Sequence, residues 1–166
     1  MRVPFVVWGP GRIPPGTTHE GPASIMDVLP TLAALAGAPL PADRVLDGED
    51  LSAIWLGRSY GDPEREMAYY LWNHLQAVRS GRWKLHLPRP ARPPWLGALV
   101  EINHVRAEDY LTVLRPMLYD LEADPGERSN VAADHPRVVA RLLEQAERTR
   151  EDLGDYDRTG AGRRKF

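Results

Sequence analysis

The sequence contains no cysteine. That removes disulfides, thiolate metal sites and a cysteine nucleophile together, and leaves the compartment open, because a secreted domain of this size does not require disulfides. No apolar run approaches the roughly 18 residues of a membrane-spanning helix, so no membrane span is expected. Neither sign of charge is in clear excess. Lys and Arg number 21 and Asp and Glu 23, for a net charge of −2. A nucleic-acid partner is not expected, since such binders carry a basic excess. Nor does the opening Met1-Arg2-Val3-Pro4 follow the basic, apolar and small-residue order of a secretory leader, so no leader is expected. No internal repeat is found.

What is present fits one domain, or one and a half. A chain of 166 residues can bury a real core, and 43% hydrophobic with 27% charged residues is ordinary for a globular protein. Sixteen prolines and 14 glycines favour many turns and short elements over a helical bundle.

"VPFVVWGPG" reads as a short, buried strand, apolar on both faces and stopped by Gly9-Pro10-Gly11. "SIMDVLPTLAALAGAPLP" reads as a helix capped by Ser24 and closed by Gly37, with Pro30 bending it or dividing it in two. "DGEDLSAIWLG" gives a short helical segment. From residue 66 the period becomes two. "EMAYYLW" and "LQAVRSGRWKLHL" read as strands with a hairpin turn at Ser80-Gly81. Trp83, Leu85 and Leu87 share one face, while Arg82, Lys84 and His86 share the other, the alternation of a sheet with one wet side. Residues 88–115 are irregular, with a helical turn expected in "AEDYLTVLR", and "PMLYDL" is a further strand. The last element is an amphipathic helix. Asp134 is placed to cap it and Pro136 to start it, and Val138, Val139, Leu142, Leu143, Ala146 and Leu153 form its apolar stripe. The tail "RTGAGRRKF" reads as solvated.

"LYDLEADPGERSN" raises the possibility of a calcium loop. Counted from Asp120, Glu122 and Asp124 hold the third and fifth places, but Pro125 is sixth, Gly126 comes one place late and Val131 is twelfth. The bidentate acid and the glycine are both misplaced, so the stretch reads as a structural turn. The five histidines make no HxH, HxxxH or HExxH pair. His74, beside Asn73 at a strand-to-strand junction, is the candidate to line a pocket, whereas His86 reads as a solvated residue. There is no GxSxG and no glycine-rich phosphate loop. Tyr69, Tyr70, Trp72 and Trp83 form either sheet core or a platform for a carbohydrate or aryl group.

The co-linear order of "MRVPFVVWGPGRIPPGT", "SIMDVLPTLAALAGAPLP", "DGEDLSAIWLG", "LQAVRSGRWKLHLP" and "LYDLEADPGERSNVAADHP" resembles the C-terminal part of an arylsulfatase-type sulfatase, of the alkaline-phosphatase-like superfamily. The resemblance implies an α+β chain. A small antiparallel sheet would be packed by the C-terminal helix, preceded by a strand and helix that belong to the large α/β sheet of a complete sulfatase. It divides the chain into residues 1–60 as the end of the large domain, 61–155 as the C-terminal sheet subdomain and 156–166 as a solvated tail. For a complete enzyme it implies sulfate ester hydrolysis by a formylglycine, made from the Cys or Ser of C/S-x-P-x-R, with bound calcium. In this sequence none of Ser24, Ser52, Ser59, Ser80 and Ser129 is followed by x-P-x-R. The family's calcium ligands and sulfate-holding residues would lie upstream of the position matched by Met1.

Two hypotheses follow. The chain is a portion of a sulfatase, inactive without a partner N-terminal sulfatase domain, with no cofactor of its own and His74 and Asn73 at the substrate rim. Alternatively it is a stand-alone, non-catalytic binding or interaction module. Residues 3–8 discriminate, because a free-standing module should protect that apolar strand.

Overall fold

The computed structural model describes residues 3–89 and 113–164. The helical turn expected within residues 107–115 and most of the irregular stretch lie outside them. The chain divides into two compact units, residues 1–63 and 64–166.

In the first unit Ser24 and Asp27 close a reciprocal capping box. The Ser24 amide donates to Asp27 Oδ2 at 2.7 Å and Ser24 Oγ accepts from Met26 N at 3.3 Å. A 3-10 turn, Ile25–Asp27, leads into α1, Val28–Ala36. The division expected from Pro30 falls between these pieces, so the proline stands in the first turn of α1, where a missing N–H costs least. Gly37 ends α1 in the left-handed conformation, φ 67°. Asp27 and Thr31 are buried and hold the following segment. Asp27 Oδ1 accepts from Glu49 N at 2.9 Å, and Thr31 Oγ1 from Leu51 N at 2.9 Å. Those bonds start α2, Ser52–Trp55.

Residues 3–8, expected as a buried strand, form no ladder among the described residues. Val3, Phe5, Val6 and Trp8 are exposed, although Phe5 and Trp55 rings approach to 5.8 Å. Apolar character alone does not make a strand. The ladder needs a neighbour to take its N–H and C=O groups.

The second unit is an antiparallel meander of β1, Glu66–Leu71, β2, His74–Ser80, β3, Trp83–His86, and β4, Met117–Asp120, in the order β1-β2-β3-β4. The β2–β3 loop is Gly81-Arg82, one residue later than expected, because Ser80 pairs with Trp83 and glycine takes the positive φ of 55°. A bulge between Tyr69 and Tyr70 shifts the β1–β2 register.

Helix α3, Pro136–Leu153, packs its Leu142 and Ala146 onto Leu75, Val78, Leu85, Leu87 and Leu118, all fully buried. Gln145 fixes the crossing by donating to Arg79 O at 3.1 Å. Its N-cap is His135 rather than Asp134, with Pro136 at the helix start. The His135 ring is instead spent on Trp83, with centroids 4.7 Å apart. Residues 156–159, in the tail expected as solvated, are exposed, yet the tail is ordered: β5, Gly154–Asp155, pairs with β6, Arg158–Thr159, and Gly160 is buried. No helix among the described residues is long and apolar enough to cross a membrane.

Candidate functional site

The loop joining β1 to β2 is two residues, Trp72 and Asn73, between the paired Leu71 and His74. Trp72 takes φ 57°, a region glycine enters freely and a bulky side chain enters at a cost. Trp72 is exposed and so is Asn73. Together with Tyr70, Asp155, Tyr156 and Arg163 they line a cleft of 580 Å³ beside the β5–β6 ribbon.

The floor of the cleft is built before any ligand arrives. Tyr70 Oη donates to Gly154 O at 2.9 Å, and burial, aided by the nearby Asp155 carboxylate, pushes its pKa up to about 12. Asp155 is buried and fully engaged. Its Oδ1 accepts from Leu75 N at 3.1 Å and Tyr156 N at 2.8 Å, and its Oδ2 from Arg150 Nε at 2.7 Å. One carboxylate thus ties strand β2, the ribbon and the helix end together.

Of the two residues expected at a rim, Asn73 lines this cleft. His74 is only 4% exposed and stands behind, its ring 4.6 Å from that of Tyr156. Burial lowers its pKa below the ordinary histidine value, against the pull of Asp155, so the ring is neutral at pH 7. Tyr156 and Arg163 were not singled out in the sequence, because the tail reads as solvated. The signal was the spacing of Gly154 and Gly160 around "DYDRT", which is the spacing of a small hairpin.

A second polar cluster occupies the sheet face expected to be wet. Glu127 reaches it from the loop after β4, with Oε1 2.6 Å from Lys84 Nζ and Oε2 2.6 Å from His86 Nε2. The Lys84 ammonium also lies 5.0 Å from the Tyr69 ring centre, and His86 stands edge-on to Tyr119 at 5.5 Å. Lys84 is buried and His86 half-buried, so the reading of His86 as solvated is corrected: the loop covers it. Burial lowers the His86 pKa, opposed by its bond to Glu127. Burial works against the Glu127 charge, but the bonds from Lys84 and His86 overcome it and leave its carboxyl below the ordinary range.

The other acids of the stretch have separate partners. Asp124 Oδ2 accepts from Arg128 N at 2.6 Å and Ser129 N at 2.7 Å within the loop, whereas Asp120, at the end of β4, reaches across to accept from Arg82 Nε of the β2–β3 loop at 2.8 Å. Asn130 Oδ1 accepts from Leu118 N and Ala132 N at 3.0 Å each. The donor set does not fit calcium. Its carboxylates point to separate partners, and no three His, Asp or Glu side chains among the described residues gather as a metal site requires.

The family model for the C-terminal region of aryl-sulfatase matches residues 62–161. This chain belongs to the sulfatase family. Human arylsulfatase A is 40% identical to it over 153 residues, covering 86% of this chain and 29% of the relative. Mouse steryl-sulfatase is 39% identical over 142 residues, covering 77% and 22%. A solved structure from work on the metabolism of multiple glycosaminoglycans by Bacteroides thetaiotaomicron matches with a TM-score of 0.55 at 33% identity, over 74% of this chain and 24% of that one. The sulfatase chain therefore spans less than a third of the length of these relatives. Its α+β architecture, a small antiparallel sheet with a C-terminal helix, is that of the family's C-terminal region. The acidic stretch that resembled a calcium loop is the turn leading from the last strand of that sheet toward the final helix.

Proposed function

We propose that these 166 residues form the C-terminal portion of a sulfate ester hydrolase and supply scaffold and pocket rim rather than the reacting groups. The observation that carries the reading is the family match over the meander and final helix, in a chain covering 22–29% of its relatives. The formylglycine and the calcium of such an enzyme would be held by residues outside this sequence, for which the partner is an N-terminal sulfatase domain. When bound, calcium would stabilise charge on the sulfate oxygens. The loop Trp72-Asn73 would stand at the rim, with His74 buttressing it from behind Tyr156 as a neutral ring.

The exposed apolar residues Val3, Phe5, Val6 and Trp8 support this reading over a free-standing binding module, which would protect them. The test is inorganic sulfate release from an aryl sulfate by the homogeneous chain, with and without added calcium. No turnover is expected. Turnover that disappears in His74→Ala would overturn the proposal, because it would place a reacting group in this chain.

A further inference from the structure

Helix α1 is turned the opposite way from an ordinary surface helix. Its polar residues face in. Asp27, in the turn before it, and Thr31 are buried, and their side-chain oxygens accept from Glu49 N and Leu51 N at 2.9 Å each. Two of its leucines face out. Leu29 is 56% exposed and Leu32 52%, and they share one side of the helix with Ala36, one turn further on, which is exposed too. Ile25 and Met26, in the 3-10 turn, are exposed as well. A solvated helix face normally carries charge, as that of α3 does with Arg137, Arg141, Glu144, Glu147 and Arg148. From Val28 to Ala42 there is no charged residue. Nor can α1 roll to hide its leucines. Rolling would break both bonds to the 49–51 segment, and the helix start lies so close to Gly48 that a Cβ there would overlap Met26 O.

We propose that the stripe of Leu29 and Leu32 is a docking face for an apolar, uncharged surface of the N-terminal domain of the complete protein. The docking face rests on the reading of this chain as the C-terminal portion of a sulfatase. Two observations select that occupant. Among its described residues the first unit buries one large hydrophobic side chain, Leu51, so it has too little core of its own. The match to human arylsulfatase A covers 86% of this chain, a share that takes in part of the first unit, and it leaves more than two-thirds of that relative outside. The cover for the stripe belongs to that larger remainder. A membrane surface fits less well, since a helix lying on lipid carries Lys or Arg along its polar side and α1 has neither.

The chain has no cysteine, so Leu29→Cys or Leu32→Cys introduces its only thiol. Maleimide labelling at each is followed by peptide mass, in the chain alone and in the chain extended through the coding sequence that precedes it in frame. Each rate is taken relative to the same protein in urea. Labelling should be nearly as fast as in urea for the chain alone, and slower by about tenfold or more in the extended protein. Met26, about half exposed, gives the same reading without a substitution: peroxide should oxidise it readily in the chain alone and slowly in the extended protein. Sulfate release by the extended protein is measured alongside. Fast labelling in an extended protein that releases sulfate overturns the docking face and leaves the sulfatase reading standing. Slow labelling in one that releases none upholds the docking face and overturns the sulfatase reading. Protection already present in the chain alone overturns the proposal, as does protection that appears there only at high concentration, where a second copy is the cover. A stop codon directly upstream of Met1 overturns it too.

Discussion

Replacing Glu127 by alanine removes the common partner of Lys84 and His86, and the structure sets the size of the loss. Deleting one member of a buried ion pair costs about 3–5 kcal/mol, because the other charge stays buried without compensation. The Lys84 side chain is 10% exposed while Glu127 and His86 are each 24% exposed, so the lower end applies, about 3 kcal/mol. Glu127 also sits at φ 54°, where glycine relieves strain of about 1 kcal/mol and alanine does not. Glu127→Gly should therefore lose about 2 kcal/mol and Glu127→Ala about 3. Urea unfolding followed by tryptophan emission measures both, and Lys84→Met completes a double-mutant cycle in which about 1 kcal/mol or more of coupling is expected. A loss under about 0.5 kcal/mol for Glu127→Ala, the value of an exposed pair, would refute the reasoning.

Acid should destabilise the second unit from just below neutrality. His74 and His86 both have folded-state pKa values lowered by burial, so the folded state binds fewer protons than the unfolded chain. Their contribution is complete above pH 6.5 and falls as pH drops from there through the folded values. The lowered Glu127 adds a second loss beginning near pH 4.5. The urea midpoint should thus be flat from pH 8 to 7 and decline below pH 6.5, and a rise on acidification would contradict the burial of the two rings. Leu85→Ala, at a fully buried site in the central hairpin, should cost about 3 kcal/mol by equilibrium unfolding, and a cost near zero would mean the sheet face is open. Asp155→Ala leaves two amides without their acceptor and Arg150 with only its 3.6 Å ion pair to Glu147, so a loss of about 3 kcal/mol is expected. An unchanged midpoint there would show that the β5–β6 ribbon does not brace the sheet.

Local signals were the legible part. Ser24 with Asp27, the closing Gly37, the alternation through β3 and the apolar stripe of α3 each act within a few residues, and each formed the element its chemistry favours. Long-range cover was not legible. Lys84 and His86 look solvated by polarity, and only the arrival of Glu127 from more than 40 residues away makes their face an interior. The same holds for residues 3–8, whose apolar run suggests a strand but whose ladder partners are absent from the described residues. At the site, a turn position drew attention to Asn73 and His74. Asn73 stays in the exposed two-residue loop while His74, the first residue of β2, turns inward, which a sequence window does not resolve without the register. The share of the cleft contributed by Tyr156 and Arg163 depends on the tail doubling back, a choice made by Gly154 at φ 94° and by the Asp155 carboxylate rather than by composition.

The most direct test of the central claim compares sulfate release by the 166-residue chain with release by the same chain extended through the coding sequence that precedes it in frame. The account predicts no release by the chain alone. It predicts calcium-dependent release by the extended protein, with formylglycine visible by mass at a C/S-x-P-x-R motif. Release by the chain alone, lost on His74→Ala, or an extended protein without that motif, would contradict it.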